Sequence, residues 1–299
     1  MVGLKRNISF NEPLHRYTDE DENIYTSVTT LIGNYHPKFD EMFWAKKKAA
    51  EAGIPIELVL KNWKDIRDFS CEKGTAEHKV LEDSINESNG KSDFKFDTVN
   101  SSFTGKKEII TINKTNLELL SKTALAQKYP SIYIYLRDKI LNGWSLIAEK
   151  RIYWYEYLVA GTIDCLLISG KRFIIVDWKT NKDELKFKSG YYKKVNGIKT
   201  DIWVDKKEYF FKPVQSIENC KGSIYTLQLS LYAYLLSLWG FTCVDLVLFH
   251  IRDRQEPKLY KIDYWQWAAE LILIDNKNAS TLAKSIKSTN NGIEKFGIS

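Results

Sequence analysis

Cysteine is scarce in this 299-residue chain: four residues, Cys71, Cys165, Cys220 and Cys243, none of them near another. Without a Cys-x-x-Cys pair, the usual spacings for structural zinc and for an iron–sulfur cluster are missing. Four scattered thiols in so long a chain read as reduced cysteines, not as a disulfide framework. Long apolar runs are missing too; none approaches the roughly 18 residues that span a bilayer. The first residues, Met1 to Asn7, carry no apolar segment of the secretory kind. These absences point to the cytoplasm (a host's, if the source is viral) and to no membrane partner. There is no internal repeat and no low-complexity tract. Neither sign of charge dominates, since 44 Lys+Arg stand against 38 Asp+Glu for a net +6. That balance permits a nucleic-acid partner without requiring one.

What is present is a large apolar and aromatic content. Hydrophobic residues make up 44% of the chain, which excludes a disordered polypeptide. Nine Trp and 17 Tyr exceed what a bare core requires. Residues 1–145 read as a small β element followed by a helical lobe. His15 to Thr18 and Ile24 to Thr26 flank the acidic turn Asp19 to Asn23, and Ser27 is placed to cap a helix from Val28. Residues 39–52 and 56–88 read as helical, with a break near Gly74. Polar residues 89–107 read as a loop, and helices follow at 115–128 and 131–142. Residues 146–299 form the second region. Strand patterns occur at 145–155, 158–168, 172–178, 243–251 and 258–262, with helices at 224–239 and 264–284. Leu227, Leu231, Leu235 and Leu238 mark one apolar face of the former helix. Within this region 181–222 is a polar excursion containing Asn196-Gly197, a hairpin turn signal. The sum is a mixed α/β core preceded by a mainly helical lobe.

One hairpin carries chemistry. A Gly-first turn at Gly170-Lys171 opposes Ser169 to Arg172 and, counting outward, Asp164 to Asp177. Like charges so opposed are destabilising, and their neighbours on that face, Leu166, Ile168, Phe173 and Ile175, are apolar. The pair therefore demands a counter-charge, which a divalent cation such as Mg²⁺ supplies. Lys179 leaves the same face of its strand, where an ammonium can hold and polarise a water, and Trp178 points to the other face. Elsewhere, His78 and Glu82 share a helix face, as do Gln228 and Tyr232. On the residues alone, the first pair reads as a solvated helix surface in preference to a ligand pair. Glu149 opens the first core strand and is placed near the acids but outside the ligand set. His15, His36 and His250 read as structural, and Lys46 to Lys48 as the wet face of a helix. The excursion holds ten Lys and six acids, interleaved with Tyr191, Tyr192, Trp203, Tyr209, Phe210 and Phe211. It reads either as a stacking track for a single strand or as a solvated hairpin whose aromatics pack on the core.

These residues resemble the PD-(D/E)XK nuclease superfamily. The match is Gly161-Thr162-Ile163-Asp164 followed by Ile175-Val176-Asp177-Trp178-Lys179-Thr180. Gly74 to Glu82, Tyr225 to Tyr232 and Ser27 to Leu31 are similar to further motifs of the exonuclease branch. That branch includes RecB-type nuclease domains, lambda exonuclease and the mitochondrial genome maintenance exonuclease. The resemblance spans about residues 10–250 and lacks the clustered cysteines of the iron–sulfur members. It implies a restriction-endonuclease-like core with a central mixed β-sheet flanked by helices. It implies Asp164, Asp177 and His78 as metal ligands, Mg²⁺ as cofactor with Mn²⁺ substituting, and Lys179 acting on the water. Gln228 would orient a catalytic group or a phosphate. Tyr232, with Lys182, Tyr191, Tyr192, Lys193 and Lys194, would touch nucleic acid. The implied activity is metal-dependent exonucleolysis of DNA, single-stranded or at duplex ends, in replication, recombination or repair of a phage or bacterium. A structure-specific or restriction-like endonuclease, an inactive nucleic-acid-binding module, an aromatic-rich carbohydrate- or protein-binding domain, and RNA as substrate stay open, as does the oligomeric state.

Overall fold

The structure is a computed structural model. It describes residues 8–11, 14, 16–89, 114–195 and 198–279, and the backbone alone of 95–97 and 109–111. His15, the Asn196-Gly197 turn, most of 89–107 and the end of the last helix lie outside the described residues.

The first strands are β1 (Ser9–Asn11), β2 (Arg16–Thr18) and β3 (Ile24–Ser27). Asp19 closes the turn between β2 and β3, its Oδ1 accepting from the amides of Asp21 and Asn23 at 3.0 and 2.9 Å. Ser27 caps α1 (Val28–Ile32), accepting from the Thr30 amide, as its position predicts. Asp40 caps α2 (Glu41–Ala52), and Gly53 ends it in the left-handed region at φ +64°. Next comes α3 (Ile56–Ser88), one unbroken 33-residue helix. The break expected near Gly74 does not occur. A mid-helix glycine costs about 1 kcal/mol, but here it lets the helix approach the sheet: a Cβ at Gly74 would lie 3.1 Å from Thr180 Oγ1. The segment read as a loop contains a strand, β4 (Lys95–Asp97), which pairs with β5 (Ile109–Thr111) just beyond it. The helix expected over 115–128 divides at Thr123 into α4 (Leu117–Lys122) and α5 (Ala124–Lys128), and α6 (Pro130–Leu141) starts on proline.

The core strands are β6 (Ser145–Trp154), β7 (Val159–Ser169) and β8 (Arg172–Lys179). A separate hairpin follows, β9 (Gly190–Val195) with β10 (Ile198–Asp205). Then come α7 (Lys221–Leu238), β11 (Thr242–His250), β12 (Lys258–Lys261) and a helix α8 over 266–279. The main sheet runs β1-β2-β3-β7-β8-β11-β12, with β6 also on β7. β8 and β11 are parallel, so the chain must cross over between them, and α7 does so.

Helices cover both faces of this mixed sheet. Leu166, Ile168, Phe173, Ile175, Leu246 and Leu248 pack with α1, α7 and α8. Cys165, Leu167, Ile174, Val176, Trp178 and Phe249 pack with α3 to α6. The alternation expected of the hairpin therefore holds from Cys165 to Trp178, and Trp178 faces helices as anticipated. The single apolar face read on α7 does not. Burial extends round the helix, including Thr226, Gln228, Ser230 and Tyr232, because α7 is covered by α1 and α8 as well as by the sheet. No helix among the described residues is long and apolar enough to cross a membrane.

Candidate metal centre

The centre forms where the sheet forks. Gly170 alone of the turn takes a positive φ (+59°), as a Gly-first turn requires. The register then runs as counted from Ser169–Arg172 to Cys165–Val176 and stops there. β3 takes up the same edge of β7 only at Val159 and Ala160. Between these pairings β7 lacks a strand partner on that edge, while β8 stays with β11 to its end, Lys179 opposite His250. The acids therefore lie one step beyond the last ladder pair. Asp164 fills the gap with its side chain, Oδ2 accepting from the Trp178 amide at 2.8 Å.

Glu149 completes the group from the other side of β7. Ala148 pairs with Cys165 and Lys150 with Ile163, which leaves Glu149 opposite Asp164. Glu149 has φ +47°, inside a strand and without being glycine. Such a conformation stores on the order of 1–3 kcal/mol, characteristically at functional sites. The alternation of both strands also inverts across this pair. Leu146 packs on the α3 side and Ile152 on the α7 side; Ile163 packs on the α7 side, as does Leu166.

α3 supplies the histidine. Leu81 and Ile85 bury one stripe of this helix against the sheet, and His78 lies on that stripe one turn earlier. Its Nε2 is 3.1 Å from the Trp178 carbonyl oxygen, which can only accept, so in the neutral ring Nε2 carries the proton. The Nδ1 lone pair then faces Asp164 Oδ2 at 3.6 Å. His78, Glu149 and Asp164 present ligand atoms that all lie within 4.8 Å of one another. The order of effects on Glu149 is burial, then the charges of Asp164, Glu82 and Asp177. Together they push its carboxyl up to about 8, against Arg151 alone. Two carboxylates and an imidazole lone pair converge there, and a divalent cation satisfies all three. The nitrogen and oxygen donors suit a hard or intermediate cation. Glu149, set outside the ligand set on sequence grounds, is thus one of the three.

Asp177 stands beside this group, not in it. Only 1% exposed, it accepts no well-formed hydrogen bond and is held by the Lys179 ammonium, Nζ to Oδ2 2.6 Å. Burial raises its pKa, with Lys179 opposing. Burial lowers that of Lys179, but Asp177 and Asp164 outweigh it and the net direction is up. Lys179 is also placed over the Tyr225 ring, 4.8 Å from its centroid. Tyr225 in turn donates to Asn181 Oδ1 at 2.6 Å. The structure thus brings His78, Asp164, Asp177 and Lys179 to one place.

Gln228 and Tyr232 lie beneath that place. Gln228 Nε2 donates to the Tyr232 hydroxyl at 3.1 Å. Tyr232 is 4% exposed and packs on Gly161, so the expected contact of its ring with nucleic acid is corrected: no face of the ring is open to stack a base. The cause is the burial of α7 on all sides. A Cβ at Gly161 would lie 2.4 Å from Tyr232 Cε1. Gly161→Ala is expected to destabilise the fold by about 1–3 kcal/mol, read in a denaturant melt; replacing Tyr232 with Leu in the same chain should recover part of the loss. Sequence reasoning also missed Tyr17, whose hydroxyl is 2.9 Å from Thr162 Oγ1.

Of the residues assigned to nucleic acid in the excursion, Lys182, Tyr191, Lys193 and Lys194 are exposed and Tyr192 is half-buried. Tyr192 packs edge-on against Trp203, with Lys199 4.3 Å from its ring centre. The excursion divides its aromatics, since Phe210 joins the core while Tyr209 and Phe211 are exposed. Packing on the core thus holds for Phe210.

His250 is structural, its Nε2 2.8 Å from the Asn181 carbonyl oxygen and its Nδ1 buried without a partner. Burial lowers its pKa. The folded state therefore binds fewer protons than the unfolded one, and stability present above about pH 6.5 is lost as the pH falls. In thermal melts between pH 7.5 and 5.5, His250→Gln is expected to flatten this loss.

The chain matches no protein-family model and no curated protein sequence.

Proposed function

We propose that the chain is a metal-dependent nuclease hydrolysing phosphodiester bonds of DNA, with an exonuclease preferred and a restriction-endonuclease-like core. The observation that carries this reading is the Lys179 amine, held by Asp177 beside the His78–Glu149–Asp164 group. Amine and ligand group serve different needs of one reaction.

Mg²⁺, or Mn²⁺ in its place, would be held by His78, Glu149 and Asp164 and would supply Lewis-acid polarisation of a phosphoryl oxygen and acidification of water. The protein's own groups do the rest. His78 offers Nδ1 because Trp178 fixes the proton on Nε2. Asp164 is oriented by the Trp178 amide. Asp177 and the Tyr225 ring localise the Lys179 ammonium, which orients the attacking water and offsets negative charge growing on the phosphate. Tyr225 itself is kept in place by Asn181.

The preference for ends over internal sites rests on the motif resemblance around His78 and Gln228. A covalently closed DNA circle tests it. With Mg²⁺, end-labelled linear DNA is expected to be digested while the circle persists; cutting of the circle would assign an endonuclease.

A further inference from the structure

Beyond the metal centre, a cavity of about 340 Å³ lies at the N-terminus of α7. Five lysines line it, among them Lys182, Lys188 and Lys221, none of which has an ion-pair partner among the described residues. The acids there are fewer. Glu184 is paired with Lys258 at 3.1 Å, and Glu208 lies 3.7 Å from Lys206, leaving Asp183. α7 has 18 residues, no acid in its first turn and no side-chain hydrogen bond from its cap, Cys220. The positive end of its dipole therefore faces the cavity; of the first-turn amides, that of Gly222 donates to the Lys186 carbonyl oxygen at 2.9 Å, and those of Lys221 and Ser223 have no partner among the described residues.

A second observation is independent of the helix. Ser189 lines the same cavity and is 2% exposed. Its backbone is fully bonded, the amide donating to Glu218 Oε2 at 2.8 Å and the carbonyl accepting from the Lys206 amide at 3.0 Å. Its hydroxyl has no partner among the described residues. A buried hydroxyl without a partner in a wall of lysines asks for an acceptor oxygen.

We propose that this cavity is a phosphate site, binding a phosphate monoester or diester through Ser189, Lys182, Lys188, Lys221 and the first turn of α7. It shares no residue with the metal group and stands whether or not that group hydrolyses anything. Its position is nevertheless adjacent. Asn181 lines the cavity and holds Tyr225, which lies one turn, about 6 Å, along α7 from Lys221.

The test is direct binding to the full chain in EDTA, by calorimetry and by amide shifts in NMR. The probes are inorganic phosphate, a 5′-phosphorylated single-stranded oligonucleotide and the same oligonucleotide without its terminal phosphate. The variants are Ser189→Ala and a triple exchange of Lys182, Lys188 and Lys221 to Gln; both leave the core intact, checked by thermal melts. Each variant is expected to weaken binding by about tenfold, with shifts confined to 182–190 and 219–224. Preference for the phosphorylated oligonucleotide assigns the site to strand ends, equal binding of both oligonucleotides assigns it to the backbone, and inorganic phosphate alone assigns it to the free anion. Absence of binding by every probe overturns the proposal. So does binding unchanged in Ser189→Ala, since scattered surface charge would then suffice.

Discussion

Lys179→Met is expected to lower DNA cleavage in Mg²⁺ by at least about 100-fold, the scale of losing one preorganised group that stabilises developing charge. The fold itself will also be affected, because Lys179 is the partner that holds buried Asp177. Breaking a buried pair by removing one member costs about 3–5 kcal/mol. The high pKa of Asp177 softens that penalty, since the carboxyl can take a proton instead. A loss of activity in Lys179→Met alone would therefore be ambiguous. Asp177→Asn added to Lys179→Met resolves it. The double variant is expected to recover most of the stability and none of the cleavage, in parallel denaturant melts and assays with end-labelled DNA. Recovery of cleavage along with stability would show that the lysine matters only for folding.

Glu149→Gln carries the second large effect. The exchange preserves shape and removes one of the two carboxylates facing each other across β6 and β7. Metal-free at neutral pH, the variant is expected to be more stable than the parent by about 1 kcal/mol, since the buried Glu149 carboxyl, raised to about 8, must take up a proton on folding and Gln need not. With Mg²⁺ or Mn²⁺ the order reverses. The parent gains stability from binding, whereas the variant, lacking one of three protein ligands, should bind at least about 100-fold more weakly. Thermal melts in EDTA and in a metal titration give both numbers. A variant that binds metal like the parent would remove Glu149 from the ligand set and return that place to Asp177.

The readable and unreadable parts of the molecule divide along physical lines. The β7–β8 register was legible because a two-residue turn with Gly170 fixes every pair beyond it. The three groups on that hairpin followed, and Ser27 and Asp19 were legible as local caps and turns. Glu149 was not, because nothing in its neighbours marks a positive φ; no glycine stands there, and the inversion of alternation across Glu149–Asp164 depends on pairing between strands. Tyr17 reaches Thr162 only because β3 joins the sheet in parallel to β7, a contact between distant segments. The pattern of α7 showed leucines on one face, but burial of its polar face depends on α1 and α8. Gly74 gave the opposite lesson: propensity argued for a break, and packing on Thr180 overrode it.

The continuity of α3 has a mechanical consequence. Between Val59 and Leu81 it has no buried residue, so among the described residues its first half stands out from the sheet with α2 alongside, while Gly74 rests on Thr180 as a fulcrum. Ile56 lies about 27 Å from that pivot and His78 about 6 Å on the other side, at 1.5 Å per residue. A swing of about 4 Å at the outer tip thus reaches the imidazole as about 1 Å, a misplacement on the scale that can cost an enzyme about 100-fold in rate. A load on the protruding arm would be geared down, but transmitted, to the His78 imidazole.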